Sequence, residues 1–538
     1  MKLKTVLLAG TVLGVAFAAA GASAAEKTEK KASANAATAA AATPLATQAQ
    51  IDALNKQIQA LQSQLQALAT QSDAANKAAA ESKAAAEKAA TSVTTATANL
   101  PSITFPNGVP TITSADKAFS FQPVGRIHLD YGYNFQDAKS PDNRANKDIT
   151  DGFNFRRAYL GFAGKAFNDF TYNVTADFPG RFNQSGRLQT AQLSYNGYKG
   201  WIIDVGAMQP AFTFEDSISS NDIGLLERPG INNVVTGLIA SEGRVSAGVR
   251  TFGENYFADV YLTGDSVNTS PFGSTTVLTS TAGATSSVTS SATTGVADDQ
   301  KAVFARAAYR PINDEHTIVH VGADVGYMYA PPQTNGVNAA GSHVLSLSER
   351  PENRYGGLGS ILSTGNINAD SVAIYGGELA ARYDSFWVQG EGYQIDIQRR
   401  KDLSTATSDP SFFGYYAEAG WVLTGQKRNY VANQGAFSAP TVDKPLNPGA
   451  GQWGTWEAVV RYSFLNLNSD TWATNTANRV RGGQQEIWSL GLNWYLTPSV
   501  RFMLDYQFID LKKYSSATNN TQVGDNWQSL GGRVQFTF

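Results

Sequence analysis

At 538 residues the chain is longer than one ordinary soluble domain, so at least two differently built segments are expected. Its 42 Lys and Arg against 45 Asp and Glu leave a formal charge of −3, which argues against a nucleic-acid binder and a polybasic membrane-surface protein. With no cysteine it has no disulfides, no thiol chemistry and no Cys-ligated zinc.

Residues 1–24 carry the marks of a secretory signal peptide. Lys2 and Lys4 precede an apolar stretch from Thr5 to Ala20, and Ala22-Ser23-Ala24 supplies small residues at a cleavage site. The run is short and rich in small residues, which disfavours a membrane anchor. No later stretch approaches the ~20 apolar residues a spanning helix needs, so any membrane role falls to strands. Residues 25–50 are Ala/Thr/Lys-rich without a hydrophobic period and read as a flexible leader.

From Ile51 the pattern changes. Ile51, Leu54, Ile58, Leu61, Leu65 and Leu68 recur at alternating spacings of three and four, and the register continues through Ser72, Ala75, Ala79, Ser82, Ala86 and Ala89. This heptad seam predicts an α-helical coiled coil over 51–90, because large hydrophobes in register would be left wet on a lone helix. Residues 91–116 hold Pro101, Pro106 and Pro110 among many Thr and Ser and read as an extended linker.

From Lys117 onward the period is two. Phe121, Ile127, Leu129, Tyr131, Tyr133 and Phe135 alternate with Gln122, Arg126, His128, Asp130 and Asn134. The same alternation recurs over Phe170–Phe178, Arg244–Arg250, Val303–Arg310 and Leu490–Phe508. Two features separate this from a soluble sandwich: charges such as Arg126, Arg250, Arg306, Glu378 and Arg501 fall on the inward face, and aromatics gather near strand ends. In hydrocarbon such a sheet must close on itself. Residues 117–538 therefore predict an all-β transmembrane antiparallel barrel of about 16 strands, an even number. The Ser/Thr/Gly-rich tract Asp265 to Asp299 and the Gly/Ser/Asn-rich tract Pro331 to Asp370 read as extracellular loops.

Several stretches carry a family resemblance: Phe119-Ser-Phe-Gln-Pro-Val-Gly125-Arg126, Phe155-Arg156-Arg157-Ala158-Tyr159-Leu160, Ser219-Ser220 with Leu226-Glu227-Arg228, Gly414-Tyr415-Tyr416, Leu423-Thr424-Gly425, Trp456-Glu457 with Arg461-Tyr462, and Leu490-Gly-Leu-Asn-Trp494-Tyr495. With these, Lys117–Phe538 resembles the phosphate-selective porin O/P family, while the coiled coil lies outside the resemblance. The resemblance implies a trimeric barrel in the outer membrane, a third outer loop folded into the lumen, and anions passing along Arg and Lys side chains. On that footing Arg126, Arg156 and Arg157 stand at or near the constriction, Tyr159 lines the lumen as a neutral donor, and Gln209 to Thr236 is the inward loop bearing Arg228. Strict alternation sends Arg156 and Arg157 to opposite faces, so a bulge or strand start is needed to bring both inward. The chain departs from the family where a lysine is expected after Ser220: Asn221 stands there, followed by Asp222. Gly435-Ala-Phe437 lacks another, although Lys444 remains before Pro445.

An enzymatic reading is poor, and no cofactor or metal is expected. On a strand, His316 and His320 would lie about 13 Å apart, too far to share a metal without a turn, and Gly356-Gly-Leu-Gly359 has no following helix pattern. The expected function is passive diffusion of small hydrophilic solutes, anions such as phosphate first. The alternatives are a general or cation-tolerant porin, favoured by Asn221 and Asp222, and a structural tether. In the tether reading the coiled coil, about 60 Å long at about 1.5 Å per residue, crosses the periplasm or touches the cell wall. Outer-membrane lipid, a homotrimer and permeant anions are the expected partners.

Overall fold

The computed structural model describes residues 48–97, 100–135, 149–178, 186–267, 275–279, 285–289, 299–334, 342–355, 358–514, 520–521 and 523–538. The expected signal peptide and most of the leader, residues 1–47, lie outside the described residues. The chain divides into two compact units between Thr95 and Ala96.

The first unit is built on helix α1, Gln48–Thr97, of 50 residues and about 75 Å at the usual rise. It outlasts the heptad pattern expected to stop at residue 90. Thr91 turns its hydroxyl back to the Glu87 carbonyl at 2.8 Å, so its polar group is satisfied within the helix. The seam residues Ile51, Leu54, Ile58, Leu61, Leu65 and Leu68 are each 44–67% exposed.

The second unit begins with a short hairpin, where Ser102–Thr104 pairs with Thr111–Thr113 across the turn Pro106–Gly108. Thr111–Thr113 then joins the first barrel strand through Ile112 and Phe121, so the segment read as an extended linker is in part sheet. The barrel strands are β1 Ser120–Phe135, β2 Gly152–Ala166, β3 Phe170–Asp177, β4 Arg187–Tyr195, β5 Trp201–Met208, β6 Arg244–Phe252, β7 Tyr256–Ser266 and β8 Lys301–Asn313. They continue as β9 Thr317–Ala330, β10 Ile367–Tyr383, β11 Phe386–Arg399, β12 Ser411–Val422, β13 Thr455–Ser469, β14 Val480–Thr497, β15 Val500–Lys512 and β16 Asp525–Thr537. Among the described residues these 16 strands each pair antiparallel with the next, and β16 returns to β1 from Gln528–Phe135 to Thr537–Arg126. Closure leaves no edge whose amides would lie bare in hydrocarbon.

Pleating sorts the side chains. On β1, Ile127, Tyr131, Tyr133 and Phe135 are 41–48% exposed on the outer face, whereas His128, Asp130 and Asn134 are buried inward. Outer-face aromatics stack near the strand ends, as in Trp456 on Trp494 and Phe386 on Trp421. One end of the barrel has tight turns, such as 167–169, 314–316 and 498–499, with one long exception at 423–454. The other end has the longer loops.

Among the described residues, three connections enter the lumen. The loop 209–243 carries the short helix α2, Phe214–Ser217, and helix α3, Gly230–Ile239. The second is part of the tract expected to be an extracellular loop from Pro331 to Asp370. Its Leu345, Leu347, Tyr355 and Leu362 are buried, and Tyr355 lies against Gly132 and Gly531, paired glycines of β1 and β16 where any Cβ would clash with the ring. The third comes from the turn end, where the hairpin Arg428–Val431 with Ala436–Pro440 packs Phe437 against Phe214. The lumen is therefore not uniformly polar. Toward the loop end Val372, Ile374, Ile395, Ile397, Phe412 and Ile487 form an apolar wall that receives Ile231, Val235 and Ile239 of α3. Each fully buried side chain of this size contributes about 1.5–3 kcal/mol.

Candidate functional site

The inward loop 209–243 is fixed by the barrel wall. Glu391 on β11 accepts from the backbone amides of Phe214 (2.8 Å) and Glu215 (3.0 Å) and from the Asn232 amide (2.9 Å). Thr213 caps α2 by accepting from the Asp216 amide. Further on, Asp505 accepts from the Leu226 amide at 2.6 Å. Arg501 donates to the carbonyls of Asn221 and Ile223, Arg428 to that of Asp222, and Arg461 to that of Glu227. These arginines, Arg501 and Arg461 of the wall and Arg428 of the inward hairpin, hold the loop, an arrangement sequence periodicity does not reveal.

The anticipated bulge is present. His128 pairs with Arg157 and Leu129 with Phe155, so Arg156 is the extra residue and both arginines point inward. Arg156 forms a two-pronged ion pair with Glu227 of the loop, its Nη2 3.1 Å from Oε2. Arg157 is 2% exposed, and its Nε and Nη1 make no hydrogen bond. Arg126 donates to the hydroxyls of Ser220 and Ser219, leaves Nε unbonded, and has its guanidinium 5.3 Å from the centre of the Tyr159 ring. Tyr159 donates its hydroxyl to Glu242 at 3.0 Å, so it lines the lumen as a neutral donor already in use.

Asn221 contacts His128 through its side chain at 3.1 Å. Arg126, Tyr159, Asn221 and Arg228 all border a cavity of about 420 Å³ beneath the inward loop, with Glu242 and Asp216 on its other walls. Arg228 borders it without being a free cation. Its Nε and Nη2 donate to the carbonyls of Glu215 and Ile218, and Asp216 lies 3.4 Å away. Lys444 is not part of the group: it is exposed on the turn-end connection, after the inward hairpin has returned to the rim, where the Leu446 amide bonds the Leu496 carbonyl.

Across the lumen, arginines of the wall and of the inward hairpin are tied to carboxylates. Arg306 bonds Glu378 and the carbonyls of Gln434 and Gly435, Arg428 bonds Glu457, and Arg461 bonds Glu352 and Glu418. Asp324, Glu378 and Glu391 bring carboxylate oxygens within 4.8 Å of one another, as a cation site would. Arg306 already sits against Glu378, and Glu391 already accepts from two backbone amides and from Tyr393 and Tyr416, so the group reads as a structural tie. His316 is exposed beside Asp384, whereas His320 is buried between Tyr430 and Glu378.

Glu227 stands in the Leu226-Glu227-Arg228 match, where motif reading gave it no role. Besides Arg156 it has Arg354 of the second inward connection and Arg533 of β16 each at 3.5 Å. Burial opposes its charge, but Arg156, Arg354 and Arg533 outweigh burial and hold the carboxyl well below the usual carboxylate range. No spacing could show this cage, because its members come from two strands and two loops.

Porin O of Pseudomonas aeruginosa is 23% identical over 441 residues, covering 79% of this chain and 90% of that one. An uncharacterized protein of Caulobacter vibrioides is 26% identical over 427 residues, covering 76% of this chain and 72% of its own. Among solved structures, an anion-selective porin from Comamonas acidovorans aligns at 11% identity with a TM-score of 0.44, covering 78% of this chain and all of that one. The family described as phosphate-selective porin O and P matches residues 121–538, so the chain belongs to that family and is an outer-membrane channel, not an enzyme.

Proposed function

We propose that the chain is a passive pore for small hydrophilic anions, phosphate among them. The observation that carries this reading is Arg126 at the cavity under the inward loop, cationic and held by two serine hydroxyls and the Tyr159 ring, with Arg157 two residues from Tyr159 and two of its nitrogens unbonded. An oxyanion that sheds water in a narrow lumen needs cationic donors in exchange, and guanidinium offers them in a fork. Arg156, Tyr159, Asn221 and Arg228 form the near surroundings of that path; Lys444 sits at its rim.

A second reading is a general or cation-tolerant pore. It is favoured by Asn221 where the family resemblance implies lysine and by the carboxylates paired to the lumen arginines. Reversal potential in a planar bilayer under a KCl gradient, followed by added phosphate, separates the two. Anion preference with phosphate block supports the first reading; a potassium-side or near-zero potential without block supports the second.

We further propose that the barrel assembles as a trimer, as the family resemblance implies, and that α1 self-associates through its half-exposed Ile and Leu seam in the periplasm, with cell-wall contact as its tethering role. Deleting residues 50–90 tests this. Lost trimers make the seam an assembly device, and a loosened envelope with unchanged conductance makes it a tether.

A further inference from the structure

The cation cage around Glu227 differs from the sealed ion pairs of the lumen in its access to solvent: one of its cations, Arg354, has a side chain 32% exposed, whereas the Arg306–Glu378, Arg428–Glu457 and Arg461–Glu352 pairs are sealed at 0–1%. Water, and an anion with it, can therefore reach the Arg354 side of the cage.

The loop does not need the Glu227 side chain to stay in place. On either side its backbone is already fastened: the Leu226 amide to Asp505, the Glu227 carbonyl to Arg461, and the carbonyls of Asn221 and Ile223 to Arg501. The carboxylate instead occupies the fork of Arg156 with the geometry an incoming oxyanion would take, two oxygens against two nitrogens of one guanidinium. Arg533 has its own partner, meeting Asp130 at 2.6 and 2.8 Å, so the charges that Glu227 satisfies are those of Arg156 and Arg354. Next to Arg156 in sequence stands Arg157, with two nitrogens unbonded.

We infer that Glu227 is a resident counter-ion: it holds the place of an oxyanion between Arg156 and Arg354 and so sets how strongly this lumen retains permeating oxyanions. The inference deepens the anion-pore reading by assigning its specificity to a residue of the loop. With the carboxylate present, the cage is closed to competitors and anions pass over Arg126. With it withdrawn, Arg156, Arg157 and Arg354 together become a phosphate site.

The test uses the full-length protein in planar bilayers, with inorganic phosphate as the probe, in wild type, Glu227→Gln and Glu227→Asp. Glu227→Gln removes the charge at constant shape. Glu227→Asp keeps the net charge and shortens the reach by one methylene, which separates occupancy from charge. Glu227→Gln is expected to lower the phosphate concentration that halves chloride current by about tenfold, and Glu227→Asp by about threefold. Unchanged phosphate block in both variants overturns the inference, as does weaker block in either. Failure of both variants to assemble overturns it too, since Glu227 would then be a structural tie. A wild type without anion preference whose Glu227→Gln variant gains phosphate block sinks the anion-pore reading and leaves this inference standing. An anion-selective wild type indifferent to both variants does the reverse.

Discussion

Two sides of one lumen teach different lessons about arginine. On the side formed by β8 to β13, Arg306, Arg428 and Arg461 are as numerous as an anion path would want, yet each faces a carboxylate and donates to loop carbonyls as well. On the side formed by β1 and β2, Arg126 meets serine hydroxyls and the Tyr159 ring, and Arg157 keeps Nε and Nη1 unbonded. In the anion-pore reading proposed above, the first group is a scaffold and the second a surface for solute. What counts for an anion is donors left over after folding, a quantity that composition and net charge do not contain.

Substitution should split the two sides. Arg306→Gln strands Glu378 in a sealed site, and breaking one partner of such a pair costs about 3–5 kcal/mol. It should appear as a large loss of heat resistance in the assembled barrel. Arg126→Gln should leave heat resistance near wild type and move reversal potential toward the cation side, lowering the anion-to-cation permeability ratio by about two- to threefold. If Arg126→Gln unfolds the barrel, or Arg306→Gln changes only selectivity, the division between scaffold and solute surface fails.

How much of this was legible beforehand follows from the range over which each signal acts. The period-two alternation of β1, β10 and β15 is local and absolute in its sense, so inward Arg126, Glu378 and Arg501 could be read directly from the sequence. The bulge at Arg156 was legible as a conflict, since two adjacent arginines cannot both face inward on a regular strand. The second inward connection was not. Its Gly and Ser content reads as solvent loop, and its reason for turning in lies in the distant glycines Gly132 and Gly531 that admit Tyr355. The hairpin 428–440 escaped for a similar reason: the anchors of Arg428 and Phe437 are Glu457 and Phe214, far away in sequence. Lys444 was chosen by resemblance alone and stands apart from the cavity.

Asn221 sharpens the comparison further. Its backbone carbonyl is held by Arg501 and Gln535, so its side chain can be exchanged without freeing the loop. Asn221→Lys adds a cation beside Arg126 on the same cavity. Phosphate should then block at an about threefold lower concentration, with the barrel's heat resistance unchanged. The same lysine changing nothing would mean that solute does not pass beneath the loop on the β1 side.

The smallest expected effect is that of pH, and its sign follows from two loop carboxylates. Glu227 is held well below the usual carboxylate range by the guanidiniums that outweigh its burial. Burial likewise works against charge on Glu242, but Arg157, Arg187 and Arg156 prevail and bring its pKa down to about 2. A carboxylate depressed by folding stabilises the fold fully above its ordinary pKa of 4.5 and loses that contribution as pH falls toward the folded value. Reversal potential should therefore stay flat from about pH 8 to 4 and drift toward the anion side only as pH nears about 2, where protonation removes negative charge from the lumen. A midpoint between about pH 6 and 7 would instead assign the control to an imidazole. Glu227 would then no longer be the residue that sets the lumen's charge.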